Sequence, residues 1–152
     1  EISSSIFHSY VNKQHDGFIG DSYICPMVNL GADTITSNLK NNYTNIKVET
    51  ADGLVDTGSM FMGSIIGDHS KFGINTMLNT GSMIGIFANV FGGGFPPKNI
   101  PSFSWNEVGK DSERYDIEKA LQTAENAMMR RELSMSEAYE SLIRKLYEET
   151  AV

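Results

Sequence analysis

Three histidines, at positions 8, 15 and 69, carry the side chains of this sequence that ordinarily exchange a proton near neutrality. An imidazole of that kind can act as general base for a nucleophile that must shed a proton as it attacks. Asp33 follows His15 by eighteen residues, and His69 stands directly after Asp68. Where residues eighteen apart stack in a regular coil, neighbouring parallel strands about 4.8 Å apart would bring the Asp33 carboxylate to the His15 ring. On residue type alone His15 reads as a solvated corner histidine. His69, in a strongly patterned segment, is its rival. Cys25 is the one cysteine and precedes Pro26, so it reads as a small corner residue rather than a nucleophile. A single cysteine excludes an internal disulfide and fits a reducing, cytoplasmic setting. All arginines, Arg114, Arg130, Arg131 and Arg144, lie in the tail, which leaves the first 110 residues without a guanidinium fork for phosphate. No metal site is read.

The apolar spacing says what must hold these groups. Phe18, Ile24, Leu30 and Thr36 fall six residues apart, and Ser22, Val28 and Thr34 keep the same interval. A period of six suits neither an amphipathic helix nor an alternating strand. It predicts a parallel β-helix of short strands with Gly, Asp and Asn at the corners and about eighteen residues per coil. Before residue 17 the period is worn, with Ile6 and Tyr10 expected inside. Residues 37–57 leave the repeat, and the alternating run from Ile46 to Glu49 followed by Asp52-Gly53 predicts a protruding hairpin. A loop of this length in a compact repeat is more often functional than idle, the alternative being a solvated hairpin that only shields the solenoid. The repeat then resumes, with Met62, Ile74, Thr80 and Ile86 in one inward position and Ile66, Phe72, Leu78, Ile84 and Val90 in the other. Asp68 breaks this pattern, through a bulge or a polar site. The glycine and proline run at 92–97 is expected to end the coil, and 102–105 to cover its open end.

After Lys110 the composition turns helical. Asp111 or Ser112 could cap a helix with an apolar stripe of Tyr115, Ala120, Leu121, Ala124 and Met128. Ser134 with Glu137 has the form of a capping box for a second helix carrying Ala138, Leu142, Ile143 and Leu146. The expected division is a β-helix over 1–109 and an α-helical hairpin over 110–152, packed on the solenoid or on a neighbouring subunit. A partner-binding helix is the alternative. The formal charge of −7 and a pI near 4.9 argue against nucleic acid or an anionic membrane as partner. No apolar run reaches the length of a membrane span. The chain opens in strand-like sequence, so it is expected to be a fragment with further coils, or a whole catalytic domain, upstream.

His15, Phe18, Ile19-Gly20-Asp21, Asn29-Leu30-Gly31-Ala32, Thr34-Ile35-Thr36 and Asn38 form a longer signature. It resembles the acyltransferase domain of the bacterial bifunctional enzyme that makes UDP-N-acetylglucosamine. The stretches GDHSKFGINTMLNTG and FGGGFPPK are similar to its alternate form, in which a sugar nucleotidyltransferase half precedes the solenoid. The resemblance covers about residues 11 to 105. It implies a left-handed β-helix, a homotrimer, and acetyl-CoA-dependent N-acetyl transfer to an amino-sugar phosphate in a groove between subunits, with the excursion reaching across. It further implies His15 as the base, Asn29 and Asn38 against the substrate, and the backbone near Ala32 with Ser64 and Ser82 along the acetyl-CoA arm. Phe18 stands where the family carries tyrosine, and Asp33 where it carries glycine. The family's phosphate-binding basic residues have no counterpart in the chain, and Lys13, Lys40 or Lys47 would have to substitute. Outward apolar residues Tyr23, Met27, Met77 and Phe87 also favour a trimer. The rival reading is a non-catalytic solenoid that trimerises or regulates an upstream nucleotidyltransferase. Ordered coenzyme A binding would separate the two.

Overall fold

The computed structural model describes residues 1–150. Short strands stack in parallel on three faces of a solenoid. The first face holds Ile2–Ser3, Gly17–Gly20, Thr34–Thr36 and Met77–Leu78, and the second Ile6–Phe7, Tyr23–Ile24, Ser64–Ile66, Ser82–Ile84 and Asn99–Ile100. The third holds Asn12–Lys13, Asn29–Leu30, Lys71–Phe72, Asn89–Phe91 and Ser104–Glu107. Each strand spends its backbone hydrogen bonds on the coils above and below, so the interior needs few polar side chains. Ile24, Leu30, Ile66, Phe72, Leu78, Ile84, Val90 and Ile100 fill it. Thr34 and Thr76 point inward as well, and each hydroxyl donates to a carbonyl three residues back, Gly31 and Gly73.

The coils are not equal in length. Ser64 pairs with Ser82 and Lys71 with Asn89 at the expected eighteen, whereas Asn12 pairs with Asn29 and Ile2 with Ile19 at seventeen. One missing residue reverses the in-out alternation. Phe7, Val11 and Ile19 therefore face the core, while Ile6, Tyr10 and Phe18, expected inside, face out. Ile74 also turns out and is 70% exposed, because it precedes the left-handed corner residue Asn75. Lys13 takes the inward register position under Leu30 and caps that end of the core, its Nζ donating to the carbonyls of Gln14, His15 and Asp16.

The excursion raises the offset from Ile24 to its partner Ile66 to forty-two. It contains the antiparallel hairpin Lys47–Thr50 and Gly53–Asp56. Its base folds onto the chain's own solenoid: Ile46 and Val48 are buried over Gly81, where an added Cβ would lie 2.7 Å from Ile46 Cγ2. Gly81 also has φ +66. Gly81→Ala is expected to cost about 1–3 kcal/mol through overpacking and left-handed strain, read as a shift in the denaturant midpoint.

The 92–97 run does not end the coil. Asn99–Ile100 and Ser104–Glu107 pair in parallel with the preceding coil at an offset of sixteen, and only the first face loses its strand. The last edge is closed by Glu113–Arg114, antiparallel to Ser104 and Trp105. This pairing moves the helix start past Asp111 and Ser112. Helix α1 spans Ile117–Met129 with Asp116 as N-cap, and α2 spans Glu137–Glu149 with Ser136, not Ser134, accepting from the Tyr139 amide. In α2, Leu142 is exposed and Ile143 is buried with Tyr139, Leu146 and Tyr147 beside it.

Both helices pack on one corner of the solenoid. Met27, His69, Phe87 and Phe103 follow one another up that corner, all with φ between 54 and 62. A left-handed conformation costs a bulky residue about 1–2 kcal/mol, and burying such a side chain returns about 1.5–3 kcal/mol. The helices supply that burial. Met27 and Phe87, expected to face a neighbouring subunit, are thus covered by the chain itself. No helix among the described residues is long and apolar enough to cross a membrane.

Candidate functional site

His15 lies at the corner between Asn12–Lys13 and Gly17–Gly20. Its φ of 62 turns the chain sharply, and its exposed imidazole makes no hydrogen bond among the described residues. Asp33 turns the corresponding corner of the next coil at φ 58 and is also exposed. The eighteen-residue stack expected between them is displaced. Because the first coil is short, the Asp33 amide donates to the Asp16 carbonyl at 2.8 Å, which seats Asp33 on Asp16. Next to Asp33, the Ala32 carbonyl accepts from Asn75, while the Ala32 N–H makes no hydrogen bond among the described residues. It remains able to donate to a ligand carbonyl or a developing oxyanion.

Phe18, Asn38 and Asp21 come together around Gly20. Asn38 Nδ2 donates to Asp21 Oδ2 at 2.7 Å. A Cβ on Gly20 would meet the Phe18 ring at 2.5 Å and Asn38 Nδ2 at 2.8 Å, so glycine is what lets the ring and the amide lie side by side. Asn29 sits elsewhere, on the third face, where its Oδ1 accepts from Asn12 Nδ2 at 2.8 Å. The two asparagines thus lie apart in the fold, Asn29 on the third face and Asn38 just beyond the strand Thr34–Thr36.

Other expected contacts are redirected. Ser64 and Ser82 pair in register with both hydroxyls inside the solenoid, where Ser82 donates to the Asn79 carbonyl. Their side chains face the core, not an acetyl-CoA arm on the outer surface. The Lys13 ammonium is held by its own corner and Lys40 by the Asn45 carbonyl. Asp68 turns a corner instead of breaking a strand. Burial pushes its carboxyl above the usual range, with the Cys25 thiol beside it.

His69 is interior. It is 5% exposed, lies parallel to Phe87 at 4.7 Å between ring centroids, and has Tyr139 of α2 at 6.1 Å. Its Nδ1 is buried without a hydrogen-bond partner among the described residues. Burial first, then the Lys71 charge, lowers its pKa to about 4. The folded chain therefore favours the neutral ring: stability from this group is whole above about pH 6.5 and is lost as pH falls through about 4. The acid loss is expected to be on the order of 3 kcal/mol, to be measured by urea denaturation between pH 7 and 4. His69→Phe keeps the stack and removes the titration, so it should flatten that slope. Asp68 pulls the opposite way in both proteins, and equal slopes would refute the assignment.

No protein-family model matches the chain. It is 29% identical over 100 residues to the bifunctional sugar-1-phosphate nucleotidylyltransferase/acetyltransferase of Sulfurisphaera tokodaii, an alignment spanning 66% of the chain and 25% of that protein. Its relatives include bifunctional nucleotidyltransferase/acetyltransferases. The bifunctional protein GlmU of Prochlorococcus marinus is 34% identical over 104 residues, or 68% of the chain and 19% of that protein. An uncharacterized acetyltransferase, YaiX, of Escherichia coli O6:K15:H31 is 26% identical over 106 residues, 70% of the chain and 46% of its own length. The chain thus spans about a quarter of the Sulfurisphaera protein and a fifth of GlmU. Acetyl transfer is the activity for which both the Sulfurisphaera protein and YaiX are named.

Proposed function

We propose that the chain is the acyltransferase part of a larger enzyme and transfers acetyl from acetyl-CoA to the amine of an amino-sugar phosphate. The observation that carries this reading is His15, an uncommitted imidazole on an exposed corner with Asp33 and the free Ala32 amide on the next coil. His15 accepts the amine proton as nitrogen attacks the thioester carbonyl. The Ala32 amide donates to the oxyanion, and collapse expels the coenzyme thiolate, which takes up a proton. Asp33 turns the corresponding corner of the next coil, exposed beside this site. Asn38 and Phe18 hold the sugar on one face and Asn29 on another, so a complete site draws on two subunits of a homotrimer.

The test is an acceptor screen. The protein is incubated with acetyl-CoA and amino sugars with and without a 1-phosphate, and the acetylated product is followed by mass spectrometry. Acetylation of a glucosamine 1-phosphate-like acceptor, in a particle that light scattering sizes as a trimer, is the expected outcome. Failure to bind coenzyme A and to acetylate any acceptor would favour the non-catalytic solenoid instead.

A further inference from the structure

On the third face, the register sets Asn12, Asn29 and Lys71 in one column. The C-terminal end of α1 lies alongside that column, and together they line an open cavity of about 420 Å³. Arg130 and Arg131 reach into it from the helix end. Three cations line it, and among the described residues no carboxylate does, in a chain with 19 acidic and 12 basic residues. Neither arginine side chain makes a hydrogen bond or ion pair among the described residues, although Arg144 of α2 engages both Glu118 and Glu140. Lys71 donates to the Met27 and His69 carbonyls at 2.8 and 2.9 Å, leaving its third N–H and Asn29 Nδ2 as unused donors.

A cation at a helix C-terminus is favoured by the macrodipole, and this accounts for Arg130 without any ligand. It does not account for Lys71. A half-buried ammonium on a β face, with only neutral carbonyls against it, destabilises the fold unless something compensates its charge. Burial indeed pushes the Lys71 ammonium down to about 8. A lysine and two arginines converging with an asparagine amide are the donors that a tetrahedral dianion takes.

We propose that this cavity, between the third face and the end of α1, is a subsite for a phosphate monoester, with Lys71, Arg130, Arg131 and Asn29 as its donors. The subsite itself stands on the geometry; naming the monoester as that of the sugar acceptor or of the coenzyme rests on the acetyltransferase reading. Both sources present the same terminal phosphate, and the site would hold it while the rest of the molecule runs along the outer face.

The experiment uses calorimetry on the whole chain at constant ionic strength, with glucose 1-phosphate, glucose, coenzyme A and 3′-dephospho-coenzyme A as probes. Glucose 1-phosphate has no amine, so its binding is independent of acetyl transfer. At least one phosphomonoester is expected to bind while its dephosphorylated partner does not. The double variant Arg130→Gln, Arg131→Gln, which alters exposed side chains only, should weaken that binding tenfold or more. Lys71→Met, which keeps the aliphatic stem, should do the same and abolish the proton uptake that accompanies binding near pH 8. Dependence confined to glucose 1-phosphate makes the sugar the source, and dependence confined to the 3′-phosphate makes it the coenzyme. Binding that is unchanged in both variants, or no phosphate-dependent binding at all, overturns the subsite. Phosphate binding without any acetylation would remove the proposed function and leave the subsite. Acetylation with phosphate affinity indifferent to the variants would do the reverse.

Discussion

Replacing His15 with alanine is expected to lower the acetylation rate by about 100-fold or more with the fold intact, the usual magnitude when a general base is lost. The side chain is exposed and makes no hydrogen bond among the described residues, so its removal should leave the melting temperature nearly unchanged. One complication is the left-handed backbone at this corner, which asparagine tolerates better than alanine. His15→Asn is therefore the cleaner variant, and the two should lose activity alike if the imidazole does the chemistry. His69→Ala should behave in the opposite manner, losing stability because it empties a buried wedge while sparing turnover once corrected for the folded fraction. Rates within a few-fold of the parent for both His15 variants would remove it from the mechanism.

The largest expected loss of stability is at Phe103. It is fully buried, lies parallel to Phe87 at 5.4 Å and meets the edge of Tyr147 in α2 at 5.0 Å. Phe103→Ala is expected to cost about 3–5 kcal/mol, combining lost burial with a cavity that the rigid corner cannot close. The damage should be local. The solenoid interior is a separate cluster from the one joining Phe87, Phe103, Tyr115 and α1 to Ile143 of α2. Amide hydrogen exchange should therefore accelerate in α1 and α2 while Ile66, Phe72 and Leu78 keep their protection. A loss below about 1 kcal/mol, or equal acceleration across the solenoid, would show that the hairpin is not anchored there. If hairpin release also weakens phosphate binding, that follows from Arg130 and Arg131 sitting at the end of α1.

Periodic and local information was legible in the sequence. The six-residue recurrence from Phe18 to Thr36 determined a solenoid, because only short strands joined by corners repeat at that interval. The alternating strand and Asp-Gly turn determined the hairpin of the excursion, and spaced apolar residues the two helices. The motif from His15 to Asn38 made the kinship with bifunctional nucleotidyltransferase/acetyltransferases legible, since a run of chemistry-bearing residues is read in one dimension. Register was decided elsewhere. A coil of seventeen, eighteen or sixteen residues differs by single residues that the pattern does not mark, yet one residue reverses every side chain. That is why Phe18 turned out against Gly20, and why Asp33 came to rest on Asp16. The corner column was equally hidden: Met27 and Phe87 read as outward apolar surface until α1 and α2 folded over them. The meeting of Lys71 with Arg130 and Arg131, about sixty residues apart in the chain, was decided only by where the helical hairpin docked. Sequence spacing carries no information about which face of a solenoid a distant helix will cover; burial of the left-handed aromatic corner supplies the free energy that chooses it.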